Sequence, residues 1–343
     1  MLTELRGYDP ENLFTVIKDS WQQCENGWNR EFSLSVDPSE ISDIIITGLG
    51  GSAISGDLLK NFLGRELKKN LTINRTYSLP ESADENTLLI ASTYSGNTEE
   101  TVSVLREGIE RGCPVIVLTT GGEAGKIASE HNLDIVPLQK GFQPRYALYN
   151  SFFTLLRIMK ALGFTAFSDS DADNLIQMIK KSGDECSAES GLAYKTAMEI
   201  KDTLPLIYTA SGFNESAGRR FKGQLNENSK MHAWCAEYPE MNHNEIVGWE
   251  TADTTGINYM IVNLIDKEMH PRVTRRFDII NKLLRKNNIG IINIEGRSAT
   301  FRERLVETVY LCDWISYYLA LFNGKNPGEI DYIHHLKEKM AEG

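Results

Sequence analysis

The chain is short of several things, and each shortage excludes something. Its 343 residues hold only five cysteines, at positions 24, 113, 186, 235 and 312, odd in number and widely separated. No Cys-x-x-Cys spacing is present, so neither a disulfide framework nor a thiol metal site is expected. Free thiols in a reducing compartment fit that usage, and the expected location is the cytoplasm. Positive charge is also short: 36 Lys and Arg stand against 47 Asp and Glu, for a net charge of -11. A nucleic-acid partner demands a basic face that releases counterions, so none is expected. A single phosphate group is not excluded, since a few aimed N–H groups can hold it against the net charge. The N-terminal residues Met1-Leu2-Thr3-Glu4-Leu5-Arg6 lack an apolar signal core. No uncharged apolar stretch reaches the roughly 18 residues of a membrane span, and no membrane partner is expected. No Pro, Gly or Ser tract signals disorder, and 41% hydrophobic with 24% charged residues is the composition of a folded protein throughout.

What is present is a pattern repeated twice. The length exceeds that at which one core stops growing, so two domains are expected. Short β-branched apolar runs alternate with longer amphipathic stretches, the form of repeated βα units and a mainly parallel sheet. In the first half the strands are read at 43–47, 71–77, 87–91, 114–119 and 133–137. Tyr149, Phe152, Phe153, Leu156 and Met159 then form one helical stripe, with Gly163 as its stop. A polar connection follows, and the second half repeats the pattern at 204–210, 233–238, 257–265 and 289–294, with a helix over 273–286. The expected organisation is an α/β fold of two doubly wound parallel-sheet, flavodoxin-like domains, residues 1–163 and 191–343, joined by a helical connection over 164–190. The stretch Phe301–Phe322 is apolar on more than one face and is expected to be buried between lobes or subunits.

Two glycine- and hydroxyl-rich turns follow strands in the first half. One runs Thr47-Gly48-Leu49-Gly50-Gly51-Ser52, the other Ser92-Thr93-Tyr94-Ser95-Gly96-Asn97-Thr98-Glu99. In an open parallel sheet this strand-to-helix edge is where ligands bind. Glycine allows close approach of backbone to an anion, and helix N-terminal amides favour negative charge. The candidate phosphate ligands are Gly50, Gly51, Ser52, Thr93, Ser95 and Thr98, and no metal is required. Taken alone, the first run is also the form of an ordinary βα turn, and Ser or Thr at a helix start is also an N-cap. The third glycine of a dinucleotide fingerprint is missing in register, and no Gly-Lys-Ser/Thr ending marks a nucleotide P-loop.

Gly50-Gly51-Ser52 together with Tyr94-Ser95-Gly96-Asn97-Thr98-Glu99-Glu100-Thr101 resembles the sugar-isomerase (SIS) domain. Gln143-Pro144-Arg145, Asn226-Glu227-Asn228-Ser229-Lys230 and Glu240-Met241-Asn242-His243-Asn244-Glu245 resemble the bifunctional phosphoglucose/phosphomannose isomerases, so the likeness spans essentially the whole chain. The resemblance implies two SIS domains and a homodimer with active sites at the subunit boundary. It implies interconversion of fructose 6-phosphate with glucose 6-phosphate and mannose 6-phosphate, without metal or organic cofactor, within glycolysis and gluconeogenesis. The family often begins its Ser-Tyr-Ser-Gly-Asn-Thr run with serine where this chain has Thr93; the hydroxyl is kept.

Moving a carbonyl between C1 and C2 needs a base to shuttle a proton, a group to stabilise the enediolate, and an acid–base group to open the ring. Glu227, read as following a helix over 216–224, is the candidate base, with the resemblance favouring it over a merely solvated charge. Glu237, Glu240 and Glu245 are rivals that spacing does not rank. His243 is the candidate for ring opening, since imidazole exchanges protons near neutrality; in the resembling family this histidine comes from the partner subunit. Arg145, after Pro144, is the candidate for stabilising developing negative charge. Lys337 resembles the lysine of the family's closing helix, with Lys339 and Lys325 as alternatives. A sugar-phosphate-sensing SIS module, or an isomerase of another ketose phosphate, would use the same cradle. An amino-sugar synthase would carry a nucleophile domain ahead of the first strand, and none is read there.

Overall fold

The protein is described from a computed structural model, over residues 2–342. It divides into two compact units. The unit from Asp19 to Gln177 holds a five-stranded sheet of β1 (Asp43–Thr47), β2 (Asn70–Asn74), β3 (Thr87–Thr93), β4 (Val115–Thr119) and β5 (Asp134–Pro137). The order is β2-β1-β3-β4-β5 and every pairing is parallel. Parallel sheets are covered on both faces, and the burial shows it. Ile45, Leu89, Ala91, Val115 and Val117 share one core with Val104, Leu105, Ala124 and Ile127. The alternating set Ile44, Ile46, Leu88, Ile90, Ile116 and Leu118 is completely buried on the other face. Helix α3 (Ser20–Trp28), α4 (Gly50–Leu63), α5 (Glu99–Glu110), α6 (Gly122–Glu130) and α7 (Leu148–Ala161) flank these strands. Strand β2 stops at Asn74, three residues short of the expected Tyr77. The Asn74 carboxamide oxygen accepts from the Thr76 amide and hydroxyl, and this local turn competes with the ladder. Gly163, at φ +71°, ends the run after α7 as its sequence position implied.

The other unit gathers the N-terminal residues through Lys18 with the chain from Met178 onward. Its sheet runs β7-β6-β8-β9 from β6 (Leu204–Ala210), β7 (Trp234–Tyr238), β8 (Tyr259–Ile265) and β9 (Gly290–Glu295), again all parallel. Tyr208, Tyr238, Ile261, Phe277, Ile280 and Leu284 form one core. Around this sheet lie α9 (Leu192–Ile200), α10 (Glu215–Glu227), α11 (Glu245–Gly248), α12 (Pro271–Lys286), α13 (Phe301–Phe322) and α14 (Asp331–Ala341). The α/β architecture with two parallel sheets matches the sequence reading.

The division of the chain differs from the expected boundaries in two places. Residues through Lys18, including α1 (Leu2–Leu5) and α2 (Leu13–Lys18), belong with the second sheet and not the first. Asp9 explains this: its carboxylate accepts from the Tyr317 hydroxyl at 2.8 Å and from the amides of Leu13 and Phe14, while the Phe14 ring meets Trp314 edge-on. The second boundary falls between Gln177 and Met178, inside α8 (Asp169–Cys186), where the sequence suggested a separate connection over 164–190. Helix α13 is the one among the described residues long and apolar enough to cross a membrane, and 89% of that stretch is buried within the protein. Trp314, fully buried, is packed there by Tyr310, Tyr317 and Tyr318.

Candidate active site

In both sheets the strand order reverses beside the first strand of the unit, and ligands of open α/β sheets bind at that switch, outside the carboxyl ends of the strands. In the first sheet the switch lies between β1 and β3, paired in register from Asp43↔Thr87 to Thr47↔Ala91. The two hydroxyl-rich turns leave these strands side by side. Gly48 permits their approach, since a Cβ there would stand 2.7 Å from the Ser92 carbonyl oxygen. Gly50, at φ +50°, turns the chain into α4. The hydroxyls are then engaged by the backbone as acceptors. Ser52 Oγ accepts from the Tyr94 amide at 3.3 Å, Thr93 Oγ1 from the Gly96 amide at 3.2 Å, and Ser95 Oγ from the Asn97 amide at 3.2 Å. Accepting in this way leaves the hydroxyl protons of Ser52 and Ser95 to be donated. The first turns of α4 and α5 add amides with no intrahelical partner. Thr93 is 1% exposed and shares a 3.0 Å hydrogen bond with Thr98, so it sits behind Thr98 rather than at the mouth.

A third segment closes on this edge. Pro144 opens a short 3₁₀ turn over Pro144–Ala147 that carries Arg145, which is 4% exposed and stacks over the Tyr146 ring at 4.9 Å. Gly51 makes room for it: a Cβ at Gly51 would lie 2.5 Å from the Pro144 carbonyl oxygen and 3.3 Å from Arg145 Cα. Thus the first helical turn after β1 packs directly on the backbone that presents Arg145.

Glu227 lies in the last turn of α10, which continues past the expected end at Gln224. The polar residues around it fix the helix end. Asn228 Nδ2 donates to Ser316 Oγ at 3.0 Å, Ser229 Oγ donates to the Ser316 carbonyl at 2.7 Å, and Asn226 Nδ2 donates to the Met231 carbonyl at 2.7 Å. Seven residues back, Arg220 forms a buried two-point pair with Asp313 of α13, at 2.9 and 3.3 Å. Helix α10 is therefore held in one register on α13, with Glu227 half-buried at its end.

The rival glutamates are engaged elsewhere. Glu237 pairs with Arg219 at 2.9 Å, Glu240 accepts from Asn244 Nδ2 at 3.2 Å, and Glu245 accepts from the Tyr208 hydroxyl at 2.7 Å. The Trp249 indole N–H donates to the same hydroxyl at 3.0 Å. Burial, then the charge of Glu245, pushes the Tyr208 hydroxyl far above its ordinary pKa, so it remains a donor. This anchor holds the segment that bears His243, an exposed residue ending the 3₁₀ turn Glu240–His243. All six histidines are exposed, so exposure does not single out His243. Lys337 is exposed on α14, with every neighbour from Asp331 to Met340. Among the described residues no three His, Cys, Asp or Glu side chains cluster as a metal site.

Sequence reasoning passed over Tyr94, Gln139 and Ser316. Tyr94 stood inside the hydroxyl-rich turn but reads as a packing residue there, and the other two belong to no short motif. Each has a partner 45 to 88 positions away, beyond what spacing reveals.

The chain matches known proteins over nearly its full length. A family model described as the bacterial phospho-glucose isomerase C-terminal SIS domain matches residues 189–340. A bifunctional phosphoglucose/phosphomannose isomerase of Caldicellulosiruptor bescii is 36% identical over 97% of this chain and 98% of that protein. One of Aquifex aeolicus is 31% identical over 97% and 99%. Among solved structures, a hypothetical protein of Thermus thermophilus superposes with a TM-score of 0.68 at 15% identity, covering 99% of this chain and 90% of that one.

Proposed function

The chain belongs to the family of bifunctional phosphoglucose/phosphomannose isomerases, and from that premise we propose how its residues divide the work. It is an aldose–ketose isomerase that interconverts fructose 6-phosphate with glucose 6-phosphate and mannose 6-phosphate. The phosphate is held by the first-turn amides at Gly50 and Gly51 and by Ser52, Ser95 and Thr98, with Thr93 bracing Thr98. The observation that carries this reading is the set of hydroxyls at the β1/β3 switch whose lone pairs serve backbone amides while Ser52 and Ser95 retain protons to donate.

Glu227 takes the proton from C2 of the open-chain aldose and returns it to C1, and works in reverse from the ketose. A cis-enediolate forms between the two transfers, and the Arg145 guanidinium stabilises its negative charge. His243 and Lys337 move the proton between the ring oxygen and the anomeric hydroxyl, O1 of the aldose pyranose or O2 of the ketose furanose, when the ring opens. His243 reaches the site from a second copy of the chain. Exposed apolar side chains support a homodimer: Val247 near His243 is 59% exposed, and Leu336 and Met340 on α14 are 61% and 58% exposed. A cytoplasmic location rests on the five free thiols, four of them buried.

Proton NMR of the protein with fructose 6-phosphate in deuterated water tests the scheme. Glucose 6-phosphate and mannose 6-phosphate should both appear with deuterium at C2. Glu227→Gln should abolish that exchange while fructose 6-phosphate still binds, and mixing it with His243→Ala should restore activity through mixed dimers. Near-parental turnover by Glu227→Gln would remove the base assignment.

A further inference from the structure

Beside the residues assigned to binding and chemistry stands Tyr94, in the middle of the phosphate turn, 9% exposed. It touches three other segments of the same unit. Its amide donates to Ser52 Oγ at 3.3 Å, which ties the β3 turn to the start of α4. Its carbonyl accepts from the Thr120 amide at 3.0 Å and hydroxyl at 2.8 Å, beyond β4. Its phenolic hydroxyl donates to the Gln139 carbonyl at 2.8 Å and accepts from the Phe142 amide at 2.9 Å. Those last two bonds clamp the loop that leads, three residues later, into Arg145. The loop is held from its other side as well: the Gln139 amide donates to Asn150 Oδ1 at 3.0 Å, and Gln23 Nε2 donates to the Tyr146 carbonyl at 2.9 Å.

We propose that Tyr94 is a positioning residue that links occupancy of the phosphate cradle to the placement of Arg145. This rests on the reading of Arg145 as the group that stabilises the enediolate. Two side chains in the cradle, Ser52 and Ser95, are bonded to or adjacent to Tyr94 in the chain. A phosphate that draws on them acts on the rigid phenol, and the phenol carries the constraint to the Gln139–Phe142 turn. Binding energy from a part of the substrate that does not react is thereby applied to the reacting end. Phe142 gives the clamp its direction, because its amide donates to the phenolic oxygen and Gly141 before it turns at φ +100°. Burial raises the Tyr94 pKa, so the hydroxyl keeps the proton that it donates.

Tyr94→Phe removes the two hydroxyl bonds and leaves the ring. For fructose 6-phosphate isomerisation kcat should fall about 10- to 100-fold, the order expected for a displacement near 1 Å at a reacting group. The dissociation constant for inorganic phosphate should change less than about threefold, since no bond from Tyr94 to the anion is lost. In an Arg145→Ala background the same substitution should slow turnover by no more than about twofold, because residues acting through one another are not additive. Parental kcat in Tyr94→Phe beside a slow Arg145→Ala would overturn the link alone. So would a fully additive double variant, or a loss of phosphate affinity as large as the loss of kcat. Parental kcat in Arg145→Ala would overturn the role of Arg145 itself, and the link with it. Should Tyr94→Phe not fold, hydrogen exchange of the parent protein answers the same question. Saturating inorganic phosphate should slow exchange of the Phe142 amide about fivefold or more, and an unchanged rate would overturn the proposal.

Discussion

Gly51 is the position where one added methyl group tests how the site is assembled. Its backbone φ is one that alanine adopts freely, so the whole effect of Gly51→Ala is steric. The new Cβ would lie 2.5 Å from the Pro144 carbonyl oxygen and 2.9 Å from its carbon, where ordinary contact begins near 3.4 Å. The Pro144 backbone must therefore retreat by about 0.9 Å (3.4 minus 2.5), and both neighbours are main chain, which yields less readily than a side-chain tip. Overpacking of this kind costs about 1–3 kcal/mol of stability. Since Arg145 Cα is the next atom in line at 3.3 Å, the guanidinium moves with it. With Arg145 in its proposed role of meeting developing charge, a shift of about 1 Å should lower kcat roughly 100-fold, about 2.7 kcal/mol of transition-state stabilisation. Steady-state kinetics in both directions, with thermal melts beside them, give the two numbers separately. Gly223→Ala is the control, because no atom lies within 4 Å of its Cβ and alanine favours the helix interior. A Gly51→Ala enzyme with kcat within about twofold of the parent would refute the argument that this contact seats Arg145.

Two further outcomes follow from the second unit. Asp313→Ala leaves the Arg220 guanidinium buried without its carboxylate, and should cost about 3–5 kcal/mol in chemical denaturation; replacing both residues with Met and Leu should recover most of it, and failure to recover would mean the pair contributes more than mutual neutralisation. Burial, with the charge of Glu185 next, pushes the Cys186 thiol up to about 12 from an ordinary 9.0, so its contribution to stability is complete below pH 9 and is lost as pH rises from 9 toward 12; Tm against pH should fall less steeply over that window in Cys186→Ala, and an identical slope would refute the assignment.

The fold was legible in the sequence because its strands are parallel and buried on both faces. Runs such as Asp43–Thr47 and Thr87–Thr93 are nearly continuous in Ile, Leu and Thr, and runs of that kind have few other uses. The ends of elements were less legible where a side chain decides them, as Asn74 does for β2 and as Asn226 and Asn228 do at the end of α10. The two turns proposed as the cradle stand side by side at the β1/β3 switch, a placement that their glycines and hydroxyls suggested. The attachment of residues 1–18 to the second sheet was not legible, because it depends on Asp9 meeting Tyr317 across 308 positions. Nor could spacing rank the four glutamates between 227 and 245. Each rival meets a group far from it in sequence or at a turn: Arg219 meets Glu237, Asn244 meets Glu240, and Tyr208 meets Glu245.

The two sheets share a topology, yet their switch points are furnished differently, and the difference lies in a few residues. Between β6 and β8 the turn reads Ser211-Gly212-Phe213-Asn214, without the paired glycines of Gly50-Gly51. Asn214 fills the crevice itself: its side chain accepts from the Ala210 amide at 2.9 Å and donates to the Leu264 carbonyl at 2.9 Å, so it spans the ends of both strands. Past β8 comes Asp266-Lys267-Glu268, and Arg304 from α13 answers it. Arg304 Nε and Nη2 bind Asp266 at 2.6 and 3.0 Å, Nη2 also meets Glu268 at 2.7 Å, and Nη1 donates to the carbonyls of Ala299 at 2.7 Å and Ser298 at 3.4 Å. A guanidinium has five N–H donors, and these five bonds use them all. An arriving phosphate would find two carboxylates and no free donor on that arginine. At the first switch the amides and the hydroxyls of Ser52 and Ser95 have no such partner of opposite charge among the described residues, and the same fold edge is left open to an anionic ligand.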